Sequence, residues 1–152
     1  MADRTESNIV VAAAPGAILH VIADFDRYTE WAHEVKKAIL ISEDGDGWAD
    51  QVEFTLSAGA IKDTYVLEYD WDVAEDGTGV VSWTLVSGQV LKAMNGSYTL
   101  EDTTLQDGSK GTAVTYRLSV EVKIPMLGIL KRKAEKVIID TALKELKKRV
   151  EV

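Results

Sequence analysis

The 152-residue chain has no cysteine, only two prolines and only two histidines. Without cysteine there can be no disulfide, no thiolate nucleophile and no cysteine-held metal. His20 and His33 stand apart, with no second ligand at metal-binding spacing, so neither a metal nor a cofactor is expected. No run approaches the roughly 18 apolar residues of a membrane-spanning helix. The segment 1–8 is polar, without the apolar centre of a signal peptide, which sets a cytoplasmic location as the expectation. Long linkers, low-complexity tracts and internal repeats are also lacking, and the length suits a single domain over 1–152 that buries its core without staples.

Charge is present but unevenly placed. The net charge is −8, yet residues 126–152 hold eight Lys/Arg against four Asp/Glu, or +4, leaving −12 for the rest. A body of that sign repels phosphate backbones, so nucleic acid is not an expected partner. The basic stretch could touch an anionic membrane surface. The reading preferred here is a helix docked on an acidic sheet with its Lys/Arg face in water.

That stretch, Pro125 to Val150, reads as one long helix of roughly 37 Å. Pro125 suits a first helical turn, where its missing N–H has no intrahelical partner. Leu127, Leu130, Ala134, Val137, Ile138 and Thr141 share one face by three- and four-residue spacing, and Ile139, Ala142, Leu143, Leu146 and Val150 share another. Such a helix needs a broad surface to lie across. Gly128 in its first turn either allows the helix end to move or permits close packing.

The preceding segments supply strands. Alternation places the first over 5–13, with Ser7, Ile9, Val11 and Ala13 on one side. Pro15 opens a short helix through Ala23, and Asp24 or Asp26 caps a second over Asp26 to His33. Strands then follow near 35–43, 48–58, 61–74, 79–87, 90–103 and 111–124, broken at Asp44–Gly47, Gly59, Glu75–Gly79, Ser87–Gly88 and Gln106–Ser109. Consecutive hairpins make an antiparallel sheet with one buried face. Asp63, Tyr65, Leu67, Tyr69 and Trp71 share that face with Phe54, Trp83, Tyr98 and Tyr116, while Arg117 falls on the polar side. A seven-stranded sheet curls, one helix does not fill its hollow, and a cavity is expected.

These features resemble the polyketide cyclase/dehydrase branch of the START-like helix-grip superfamily. The likeness runs through Ala13-Ala14-Pro15, the Asp24-Phe25-x-x-Tyr28-x-x-Trp31 spacing, Tyr65–Tyr69, Ser82–Leu85, Asn95–Tyr98, Gly111–Tyr116 and Ile124-Pro125-Met126. It implies an α+β helix-grip domain: a seven-stranded curved antiparallel sheet, two short helices and a long C-terminal helix over the concave face. The superfamily includes aromatase/cyclases, lipid and sterol carriers, quinone-binding proteins and plant ligand-binding allergens, so the fold leaves function open.

The expected function is binding of a hydrophobic, ring-containing or lipid-like molecule. The ligand-binding candidates are Trp31, Tyr65, Tyr69, Trp83, Tyr98 and Tyr116 on one wall and Met126, Leu127, Leu130, Ala134 and Ile138 on the other. Four inward tyrosine hydroxyls need partners once buried, which a ligand with ring oxygens or a packed core could each supply. Trp31 either lines the mouth or plugs the gap between short helices and sheet. One alternative is an aromatase/cyclase that folds a poly-β-ketone, another a membrane-contacting lipid or quinone chaperone. Catalytic candidates are Asp63, Tyr98 and His33, with Asp63 expected at a wet strand end and no triad partner at diagnostic spacing. The chain could be a monomer or a homodimer.

Overall fold

The computed structural model describes residues 5–58, 61–123 and 127–151. Strand β1 (Thr5–Val11) leads into helix α1 (Pro15–Ala23), a 3-10 turn (Phe25–Arg27) and the single-turn helix α2 (Tyr28–Trp31). Six strands follow: β2 (Val35–Glu43), β3 (Ala49–Ala58), β4 (Ile61–Val73), β5 (Gly79–Gly88), β6 (Leu91–Thr104) and β7 (Lys110–Val122). Helix α3 (Gly128–Val150) closes the chain.

The strands form one antiparallel sheet in the order β1-β7-β6-β5-β4-β3-β2. Its hairpins are made where Asp and Gly alternate. Asp44, Asp76 and Asp107 each accept a backbone N–H two residues on, at 2.8–2.9 Å. Gly47, Gly77 and Gly108 then take the left-handed φ of 86–91° that closes each turn. The expected breaks and strands fall at these turns to within a residue or two. The Gly59 break lies outside the described residues, as do Ile124, Pro125 and Met126 of the expected helix start.

Two local readings change. β1 stops at Val11, because Ala13 turns back to bond the Val11 carbonyl (2.9 Å). The second short helix is not continuous from Asp26 to His33. It is a 3-10 turn and one α turn, with no side-chain cap from Asp24 or Arg27.

Helix α3 runs along β1 and β7 rather than across the whole sheet. Contacts stitch it to β1 and the residue that follows it. Thr5 Oγ1 donates to Glu135 (2.7 Å), Ser7 Oγ to Asp140 (2.9 Å), Lys147 Nζ to the Val10 carbonyl (2.9 Å) and the Ala12 N–H to Glu151 (2.8 Å). Its buried face is Ala134, Glu135, Ile138, Ile139, Leu143 and Leu146. Of the expected first-half stripe, Leu127 and Leu130 are exposed because they precede the buried face that starts at Ala134, and Val137 is exposed because it points away from that face. Glu135, one per cent exposed, also accepts the Val120 N–H at 2.7 Å, and these hydrogen bonds offset the cost of burying it.

Candidate functional site

A cavity of about 80 Å3 lies between β3 to β7 on one side and α2 with the middle of α3 on the other. Phe54, Tyr65, Tyr69, Trp83, Tyr98 and Tyr116 line the sheet side. Ile138, Thr141, Ala142 and Glu145 line the helix side. Trp83 is the hub, with ring centroids 5.5 Å from both Tyr98 and Tyr116 and 5.6 Å from Tyr69. It sits flat over β6 because Gly96 lies beneath it. A Cβ at residue 96 would come within 2.5 Å of the indole ring.

Burial pushes the pKa of all five tyrosines (28, 65, 69, 98 and 116) upward, so each hydroxyl is a neutral donor and not a base. Tyr28 donates to the Ile22 carbonyl. Among the described residues the hydroxyls of Tyr65, Tyr69, Tyr98 and Tyr116 have no hydrogen-bond partner. No buried side-chain N or O atom there is left without one, and all four of these tyrosines line the cavity.

Trp31, Thr141 and Glu145 also line an adjacent recess of about 530 Å3, rimmed by Glu30, His33, Lys144, Lys148 and Arg149. The inner volume alone holds only a handful of waters, at about 15 Å3 each. The recess is in the range of ordinary ligand sites, about 300–1,000 Å3. Trp31, buried against Tyr28 at 5.0 Å, lines both spaces.

Several candidate residues are not at the cavity. Leu127 and Leu130 are 70% and 49% exposed and Ala134 packs elsewhere in the core, so Ile138 is the residue of the expected helix wall that lines it. Met126 lies outside the described residues. His33 is exposed on the recess rim, its ring against Glu145 and its N–H donating to the same carboxylate at 3.0 Å. Asp63 is corrected most. It is buried rather than on a wet strand end, and its oxygens accept the N–H groups of Gln89, Val90 and Leu91 at 3.2, 3.0 and 2.9 Å. It holds the β5–β6 turn and is not among the residues that line the cavity.

Two carboxylates line the cavity: Glu145 from α3, and Glu34, half-buried just after α2. Burial raises its pKa, the Thr141 hydroxyl opposes that, and nearby Glu145 adds to it. No periodic pattern marks Glu34, since it lies in the irregular link to β2. Tyr28 was visible only as part of the Phe-x-x-Tyr-x-x-Trp spacing. Among the described residues no cluster of His, Asp and Glu could hold a metal ion, and no helix is long and apolar enough to cross a membrane.

Residues 2–151 match the family model described as polyketide cyclase / dehydrase and lipid transport. The chain belongs to this family. A START superfamily protein from Mycobacterium smegmatis superposes with a TM-score of 0.83 at 22% identity, covering 97% of each chain. TTHA0849 from Thermus thermophilus gives 0.74 at 21% identity, again over 97% of each chain. The Zhui aromatase/cyclase from Streptomyces sp. R1128 gives 0.76 at 16% identity, over 99% of this chain and 94% of that one. At such identities these likenesses establish the START-like fold alone. No curated protein matches the chain.

Proposed function

We propose that this protein binds a hydrophobic, ring-containing small molecule, with one apolar ring among the inner aromatics and the remainder in the outer recess. The observation that carries this is a mostly apolar cavity lined by four tyrosines whose hydroxyls have no partner among the described residues. Aromatic walls give contact area, and neutral hydroxyl donors orient oxygens on the ligand. Native mass spectrometry of freshly purified protein should show a bound organic molecule that denaturation releases. Titration with 2-naphthol should quench tryptophan emission saturably. Tyr98→Phe should weaken that binding about fivefold, the worth of one hydrogen bond of about 1 kcal/mol. No bound molecule and no saturable quenching would remove the proposal.

A second reading, a cyclase or dehydrase acting on a poly-β-ketone, is favoured by Glu34 alone. A carboxyl with a raised pKa at a cavity wall can hold a proton and pass it on. On this reading Glu34→Gln abolishes ring closure of a short poly-β-ketone thioester while leaving 2-naphthol binding unchanged. Closure at the wild-type rate by the variant would dismiss Glu34 as the proton carrier.

A further inference from the structure

The two ends of the strands differ in charge, although the acidic end also holds Lys110 beside the β6–β7 turn and Lys147, which reaches the Val10 carbonyl at the end of β1. At one end lie the β2–β3, β4–β5 and β6–β7 turns, with Asp44, Asp46, Glu75, Asp76 and Asp107 all exposed. At the other end lie the start of β4, the β5–β6 turn, the end of β7 and the first turns of α3. Lys62, Lys92, Lys123, Arg132 and Lys133 are exposed there, and none has a carboxylate partner among the described residues. Two carboxylates near these cations are already engaged. Glu121 pairs with Lys131 at 2.9 Å, and Asp63 is buried in its backbone hydrogen bonds.

The same basic end also holds the most exposed large apolar side chains among the described residues: Leu127 (70%) and Ile129 (68%), with Leu130 (49%) beside them. They occupy the start of α3 and the residue before it, ahead of the helix's buried face, and remain exposed. Three uncovered aliphatic side chains next to Arg132 and Lys133 match a surface that is negative and apolar at once. A second copy of the chain offers its acidic turns, but among the described residues those turns carry none of the exposed large apolar side chains. Nucleic acid offers the charge without the apolar layer.

We propose that this end docks on an anionic lipid bilayer, with Leu127, Ile129 and Leu130 entering the headgroup boundary and Arg132 and Lys133 meeting lipid phosphates. The charge separation along the strands orients the molecule, holding the acidic turns away from the membrane in spite of the net charge of −8. This docking is independent of any ligand in the cavity.

The test is co-sedimentation of the full chain with phosphatidylglycerol–phosphatidylcholine vesicles and with phosphatidylcholine vesicles alone. Binding is expected to the mixed vesicles only, and to weaken as salt rises. Neutralising two cations with Arg132→Gln and Lys133→Gln should weaken it about thirtyfold. Leu127→Ser with Ile129→Ser should weaken it by about tenfold or more. All four residues are exposed, so circular dichroism and the thermal midpoint should stay at wild-type values and separate lost docking from lost folding. No sedimentation with mixed vesicles, or sedimentation indifferent to both pairs of substitutions, would overturn the proposal. So would concentration-dependent self-association, or binding to DNA in place of vesicles, that the same substitutions abolish.

Discussion

Asp63→Ala should destabilise the protein by about 3–5 kcal/mol, a large part of the 5–15 kcal/mol typical of a whole domain. The wild-type carboxylate accepts three successive backbone N–H groups, from Gln89, Val90 and Leu91, in a turn that joins two central strands. Alanine leaves those donors without an acceptor, and Leu91 is fully buried, so water cannot take over its bond. Gly88 adds to the tightness of the site, since a Cβ there would sit 2.9 Å from the Asp63 carboxylate. Asp63→Asn keeps one acceptor oxygen and should lose about half as much. Urea unfolding followed by circular dichroism checks both. A loss below about 1 kcal/mol for alanine would show that the turn holds itself.

The alkaline titration should be equally marked. All five tyrosines have their pKa raised by burial above the ordinary 10.0. The sign follows from linkage: a pKa raised in the folded state means that folding favours the protonated form. That contribution is complete below the unfolded value, near pH 10, and is lost as pH rises beyond it. At about pH 11 a tyrosine in water is roughly nine-tenths ionised. The folded protein should show almost no tyrosinate absorbance at that pH. Phenolate should then appear in one cooperative step, together with loss of far-ultraviolet dichroism. A gradual rise starting near pH 10 with dichroism intact would mean that bulk water reaches these hydroxyls freely.

Much of the fold was legible in local signals, because local physics dictates them. Asp-Gly turns need a short acceptor side chain and a residue tolerant of positive φ, and Asp44, Asp76 and Asp107 with Gly47, Gly77 and Gly108 are where the hairpins form. Period-two alternation put Tyr65, Tyr69, Trp83, Tyr98 and Tyr116 on one face, and the curved sheet brings those five rings together. Family membership likewise rests on motifs spread along nearly the whole chain.

Tertiary structure alone decided what each polar or apolar side chain meets. Asp63 lies on the inward face by alternation, but its three donors come from a turn 26 to 28 residues away, a pairing that no spacing reveals. Glu135 sits among charged residues in the sequence, and it is buried because β1 and β7 bring Thr5 and the Val120 N–H to it. Leu127 and Leu130 carry the same apolar signal as Ile138, yet only Ile138 has sheet beneath it. Periodicity reports which side chains share a face. Where an element ends relative to its neighbours determines whether that face is core, cavity wall or open surface.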